Sequence, residues 1–177
     1  MPSELESVRD WFAYIAAARR GYFEAYQKLP PGELSRDRGA SYPSLLDIMA
    51  HSQGAMYYWI TNCSPGAFPP PEPETAEPPT VAQLKDFEAY LQAHVHRFMA
   101  GLEEADLDRT IARPRGRASD HDCNIPVRDV LWHLVEEELQ HRGEVNALLW
   151  QLDVDAPVYN WIQWAHAVGR IKDPDSK

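Results

Sequence analysis

Apolar side chains recur every three to four residues in four long segments of this chain, and this spacing restricts its fold more than any other feature. Sustained strand-like alternation is absent from the sequence. The pattern therefore predicts an all-α protein, a four-helix bundle with amphipathic helices facing a common core. The residues expected on the buried face of the first helix are Leu5, Val8, Trp11 or Phe12, Ile15, Ala18, Tyr22 and Tyr26.

Turn residues indicate where the helices begin and end. The first helix is expected over about residues 3–28, before Pro30-Pro31-Gly32, and the second directly after Tyr42-Pro43-Ser44. The third is expected from about Thr80 to Leu102, and the fourth over about residues 126–152. A short aromatic helix over about residues 159–165 is expected to cap one end of the bundle.

Two long connections separate the later helices. Residues 63–80 are rich in proline, which predicts an extended connection with no helix of its own. Residues 106–124 are irregular and polar, and Thr110-Ile111-Ala112 is their only strand-like piece. Because no period of about 30 to 45 residues recurs, a tandem helical repeat is disfavoured.

Composition restricts the partners and the compartment. The 177 residues suit one domain over 1–177, and a net charge of −10, from 27 acidic and 17 basic residues, disfavours nucleic acid as a partner. The N-terminus lacks the features of a secretory signal, and no apolar run approaches the roughly 18 residues of a membrane span. We therefore expect a cytoplasmic protein without membrane contact, in which Cys63 and Cys123 are reduced.

The fourth helix carries metal-ligand side chains where hydrocarbon is expected. Glu137 and His141 continue the apolar stripe of Val130, Leu134 and Leu148. A carboxylate facing a core is costly unless it is paired or bound to a cation. Side chains four residues apart lie on the same helical face, so Glu137 and His141 can converge on one ion.

His51, between Ile48 and Ala55 on the second helix, is the candidate third ligand. A lone histidine beside an apolar face is more often a hydrogen-bonded core residue, but the pair on the fourth helix requires a ligand from a facing helix. Two histidines and one carboxylate suit a catalytic divalent metal. His133, one turn before Glu137, is an alternative ligand or a residue at the rim of the bundle.

Other arrangements compete with this triad. Glu138-Leu139-Gln140-His141 matches half of a di-iron site, but the second such motif is absent. Glu136 and Glu138 are assigned to a solvated face, and His121-Asp122-Cys123 to a solvated turn. Gly143 predicts a close approach by another helix, because glycine inside a helix costs about 1 kcal/mol relative to alanine.

The string His141-Arg142-Gly143, with an acid one turn earlier and a histidine midway along the second helix, resembles the DinB-like (YfiT-like) family of metal-binding bundles. The likeness covers most of the chain, including the helix order, the long connections and the exit over residues 153–157. It implies a metal triad of His51, Glu137 and His141, with Glu137 where the family most often has histidine.

The resemblance also implies a chemistry. Zinc or nickel is the expected metal, and some relatives are transferases or isomerases that use a low-molecular-weight thiol. We therefore expect a metal-dependent enzyme that adds a thiol to a small electrophile, with metal-dependent hydrolysis as the nearest alternative. A non-catalytic stress-response or binding bundle is the alternative from another class. The expected partners are a small-molecule substrate and a second copy of the chain in a homodimer.

Overall fold

The computed structural model describes residues 2–64, 79–113, 123–157 and 160–172. Its elements confirm an all-α bundle with one small two-stranded sheet. In chain order, the helices and strands are α1 (Glu4–Tyr26), α2 (Pro31–Leu34), α3 (Leu45–Cys63), α4 (Val81–Gly101), a 3-10 helix (Glu104–Asp108), β1 (Thr110–Arg113), β2 (Cys123–Pro126), α5 (Val127–Gln151) and α6 (Trp161–Ala167).

Side-chain caps explain why three of the long helices begin where the sequence predicts. The hydroxyl oxygens of Ser3, Ser44 and Thr80 each accept a hydrogen bond from a backbone N–H in the first helical turn. Such a bond satisfies one of the N–H groups that a helix start leaves without a partner. In α1 and α4 the side chain of the third helical residue returns the bond, which completes a capping box.

Two connections and the start of the C-terminal helix differ from expectation. The prolines after α1 do more than end it, because Pro31 is the first residue of the one-turn helix α2, a position that suits proline. The strand-like piece at Thr110 is not solitary, since β1 pairs antiparallel with β2. The short C-terminal helix begins at Trp161 rather than 159, with Asn160 as its N-cap.

Several expectations lie outside the described residues. The proline-rich connection falls mainly within residues 65–78, and His121-Asp122 falls within 114–122. Among the described helices, none is long and apolar enough to cross a membrane. Cys63 and Cys123 are both free, as expected. Burial raises the pKa of the Cys63 thiol to about 11, although Arg109 opposes the shift.

The buried apolar residues form two large clusters, one toward each end of the bundle. Along α1 the first cluster reaches Ile15 and the second begins at Tyr22, and the other long helices are divided in the same way. Near the level where the clusters meet, each long helix contributes buried polar side chains. These residues, which we call the polar layer, are Arg19, Gln53, Glu88, Glu138 and His141.

Arg9 joins α1 to the end of α4. Its guanidinium donates to the carbonyl oxygens of Met99, at 2.9 and 3.1 Å, and Leu102, at 2.8 Å. These carbonyls belong to the last turn of α4 and its C-cap, where a helix has no internal donors left for them. Arg9 therefore caps α4 with a charge that also complements the helix dipole.

Among the glycines that the structure describes, Gly21 is the one that meets a close neighbour, and the expectation for Gly143 is wrong. A Cβ added to Gly143 would meet no atom within 4 Å, because this side of α5 is exposed. A Cβ added to Gly21 would lie 2.8 Å from Cβ of Pro157, in the segment that follows α5. The close approach is therefore made by this segment against α1.

The two glycines predict opposite effects of the same substitution. Gly143→Ala should raise the free energy of unfolding by roughly 0.5–1 kcal/mol, because alanine has the higher helix propensity and meets no obstruction. Gly21→Ala should lower it by about 1–3 kcal/mol, because the added methyl overpacks against Pro157. Urea unfolding of the two variants measures both changes, and a stabilised Gly21→Ala protein would contradict the assigned contact.

Candidate metal centre

The structure brings His51 of α3 together with Glu137 and His141 of α5. Oε2 of Glu137 lies 3.3 Å from Nε2 of His51 and 3.5 Å from Nε2 of His141. One potential ligand atom from each residue lies within 4.8 Å of those of the other two. His51 and Glu137 are 86 positions apart in the sequence. The three residues that the sequence analysis selected from two helices therefore form one cluster.

The spacing and chemistry of this cluster fit a divalent ion. For metal–ligand bonds of about 2.1 Å in tetrahedral geometry, neighbouring ligand atoms lie about 3.4 Å apart. The two distances from Glu137 Oε2 are close to that value. Imidazole nitrogen and carboxylate oxygen are both accepted by zinc and by other first-row divalent ions.

Glu144 and Ser41 orient His141. Nδ1 of His141 donates to Oε2 of Glu144 at 2.9 Å, and the hydroxyl and backbone N–H of Ser41 donate to the same carboxylate at 2.6 and 3.2 Å. Partial burial alone would raise the pKa of Glu144, but the hydrogen bonds from Ser41 and His141 outweigh it and lower the pKa. Glu144 is therefore ionised and holds the proton of His141 on Nδ1, which leaves Nε2 able to act as a ligand.

Tyr42 packs against both histidines. Its ring stacks on His51 with centroids 4.0 Å apart and meets His141 edge-on at 5.6 Å. Its hydroxyl oxygen lies 3.0 Å from Nε2 of His51. Burial lowers the pKa of His51 and His141 adds to this, while Glu137 opposes it, so the net shift favours the neutral imidazole that binds metals.

The cluster is buried on one side and open on the other. The side chain of His141 is 7% exposed, whereas those of His51 and Glu137 are 29% and 26% exposed. His141 therefore closes the inner side, toward the polar layer. A small molecule can reach the cluster from the side that His51 and Glu137 present to solvent.

His133 lies beside the triad rather than in it. Its Nε2 is 4.0 Å from Oε1 of Glu137, the oxygen that does not face His51 and His141. His133, Glu136 and Glu137 are themselves close enough to hold an ion, but His133 and Glu136 are exposed, and exposed groups of this kind are common without an ion. The structure thus brings His133 to the rim of the bundle, the second of its two expected positions.

The expectation for Glu138 is wrong, because Glu138 is the most buried of the three consecutive glutamates. It is 4% exposed and accepts from Arg19 Nη2 at 2.8 Å and from Nε at 3.2 and 3.3 Å. Arg19 Nη1 also donates to Glu88 Oε2 at 3.2 Å. Glu138 lies between Leu134 and Val145 at the centre of the buried face of α5, whereas Glu137 lies at its edge.

Arg19 and Glu88 are polar-layer residues that sequence reasoning missed. Both occupy apolar stripes, Arg19 four residues after Ile15 and Glu88 four residues after Leu84, and this position was a signal that could have been used. Burial alone would lower the pKa of Arg19, but Glu138 and Glu88 outweigh it and raise the pKa. The guanidinium of Arg19 is therefore the cation between these two carboxylates. Glu138 is paired with an arginine, which argues against its role as an iron ligand in a di-iron site.

The comparisons with known proteins agree with the helical architecture. A sequence profile of the DinB family matches residues 1–169. The matched range includes every described helix from α1 to α6 and all three residues of the triad. No curated protein matches the chain significantly.

The different surroundings of Glu138 and Glu136 predict different costs of substitution. Glu138→Leu should lower the free energy of unfolding by roughly 3 kcal/mol or more, because it removes one partner of a buried charge pair. Glu136→Leu, at an exposed position, should change it by less than about 0.5 kcal/mol. Urea unfolding measures the free energy of unfolding of both variants. Equal losses would mean that Glu138, like Glu136, faces solvent.

Proposed function

Since this chain belongs to the DinB family, we propose that it is a metalloenzyme in which His51, Glu137 and His141 hold one divalent ion. DinB proteins commonly bind metal, and the cluster lies within the matched range. The donor set accepts zinc and nickel, the metals that the resemblance implies. The departure at Glu137 from the family's usual histidine keeps a suitable ligand, because two histidines and one glutamate form a known zinc set.

The open side of the cluster is the observation that supports catalysis over a purely structural role. Structural zinc sites are closed by four protein ligands, whereas catalytic sites use three and leave a position for substrate or water. Here the three side chains converge from two helices, and His51 and Glu137 are partly exposed. A reactant can therefore approach without displacing a protein ligand.

An ion held by the triad would act as a Lewis acid and allow a thiol or a water to lose its proton near neutral pH. The residues of the chain prepare that site. The carboxylate of Glu137 offsets part of the charge of the cation, while Glu144 fixes the orientation of His141. Tyr42 places its hydroxyl beside Nε2 of His51, where it can donate a hydrogen bond to a bound reactant.

The resemblance to thiol-dependent relatives favours thiol transfer as the reaction. In this addition the S–H bond of a low-molecular-weight thiol breaks, its sulfur forms a bond to a small electrophile, and the proton is taken up by the adduct. Metal-dependent hydrolysis would use the same site with water as the nucleophile. Product analysis with and without an added thiol separates the two, since hydrolysis requires none.

A non-catalytic bundle is the second candidate function, and one observation favours it. Tyr42, His51 and Glu137 form a continuous set of polar contacts with one another, at 3.0 and 3.3 Å. Such a set can orient α3 against α5 by itself. Elemental analysis discriminates the two candidates, because the non-catalytic bundle needs no stoichiometric metal.

We also propose a homodimer in which the exposed side of α5 faces a second copy. Leu139 and Trp150 on this side are 43% and 59% exposed, which is high for large apolar side chains. Analytical ultracentrifugation tests the pairing, and a monomer at concentrations on the order of 10 μM would contradict it.

Removing one ligand should remove the ion. In untagged protein purified without added ions, we expect stoichiometric divalent metal, and we expect His141→Ala to lose most of it. His96→Ala, at an exposed position on α4, is the control and should keep the parent's content. Chelation should also lower the melting temperature of the parent, because an ion that binds only the folded state stabilises it. Equal metal content in His141→Ala and the parent would refute the triad.

Substitutions of Glu137 test the departure from the family pattern. Glu137→His should retain metal, because imidazole also suits zinc and nickel. Glu137→Gln keeps the shape but removes the charge, and its zinc affinity should fall roughly tenfold or more, since even changes behind the ligands often cost about 10- to 100-fold. Competition with a chromophoric chelator measures both, and unchanged affinity in Glu137→Gln would exclude Glu137 as a ligand.

A further inference from the structure

Arg19 touches the other three long helices from its place on α1. It is 1% exposed, and its guanidinium donates to Glu138 on α5 and to Glu88 on α4. Nη2 also donates to the backbone carbonyl of Ser52 on α3 at 3.3 Å. The planar guanidinium has five N–H donors in a fixed arrangement, so these contacts restrict the relative positions of the helices.

Two of these contacts lie one residue away from a proposed metal ligand. Ser52 follows His51 on α3, and Glu138 follows Glu137 on α5. These helices supply all three residues of the triad. Because a helix is stiff over neighbouring residues, a shift of Ser52 or Glu138 would displace the adjacent ligand as well.

Stability alone does not account for three buried charges at this level of the bundle. The desolvation of a buried ion pair costs about as much as the pair returns, and apolar residues of similar volume are often equally stabilising. The directional hydrogen bonds of Arg19 do something that apolar contacts cannot, since they fix position as well as contact. The polar layer is thus better explained by geometry than by stability.

We infer that Arg19 is a positioning residue for the metal centre, which sets the separation of α3 and α5 so that His51, Glu137 and His141 converge on one ion. The inference rests on the proposed metal site. Glu88 completes the arrangement from α4, and its two oxygens accept hydrogen bonds from Gln53 of α3 at 2.8 Å and from Gln92 of α4 at 2.7 Å. The carboxylate of Glu88, which accepts a hydrogen bond from Nη1 of Arg19, is therefore itself held in place.

The test removes the charges of the layer together, so that no single charge remains buried without a partner. In the triple variant Arg19→Met/Glu88→Gln/Glu138→Leu, the amide oxygen introduced at position 88 would remain an acceptor for the neighbouring glutamines. We expect this variant to melt within a few degrees of the parent. Its zinc affinity, measured by chelator competition, should fall by about 10- to 100-fold. The absorption spectrum of bound Co²⁺ should change as well, since that spectrum reports coordination geometry.

Arg9→Met is the matched control, because Arg9 also lies on α1 and also joins helices, but at the end of α4. It should lower the melting temperature and leave zinc affinity and the Co²⁺ spectrum unchanged. Parent-like affinity and spectrum in the triple variant would overturn the positioning role. If the triple variant does not fold, Arg19→Lys replaces it, since lysine keeps the charge but not the planar fork, and parent-like affinity there would equally overturn the role.

The parent protein separates this inference from the proposed function. A parent that binds no zinc, nickel or cobalt would overturn the proposed metalloenzyme, and the positioning role with it, before any variant is compared. A parent that binds metal, together with variants of Arg19 that bind it equally well, would overturn the positioning role alone.

Discussion

The ion pair between Arg19 and Glu138 is the interaction on which the arrangement of the bundle depends. Apolar contacts are not directional, so two packed helices can slide or rotate with little change in buried area. A buried guanidinium is different, because each of its N–H groups requires an acceptor in a particular direction. With acceptors on α3, α4 and α5, one side chain of α1 restricts the alignment of all four long helices.

The same layer gives adjacent residues of α5 different roles. Glu138 faces inward and meets a cation of the protein, while Glu137 lies at the edge and faces two imidazoles. His141 belongs to both groups, since it is buried with the layer and directs Nε2 toward Glu137. The candidate metal centre is therefore in direct contact with the polar layer, through His141, rather than with the apolar core alone.

Helix positions and the shared face of Glu137 and His141 could be predicted because both depend on local spacing, whereas His51 was included because a ligand was needed from a facing helix. The caps at Ser3, Ser44 and Thr80 and the interval between Glu137 and His141 are properties of short segments. For Glu138 a local signal was available and missed, because it lies four residues after Leu134 and three before His141 on the buried face of α5. Spacing could not supply its partner, since Arg19 lies 119 positions away. The pairing of β1 with β2 and the contact at Gly21 likewise depend on distant segments.

The connection between α2 and α3 supplies no ligand, yet Tyr42 stacks on His51 and Ser41 holds the carboxylate that orients His141. Its conformation and that of the imidazoles are therefore thermodynamically linked. Any occupant that fixes the two rings also restricts the backbone beside them, so part of its binding energy is used to order this connection. Hydrogen exchange of the amides near Ser41 would thus report what happens at the histidines, from a segment that touches no ion.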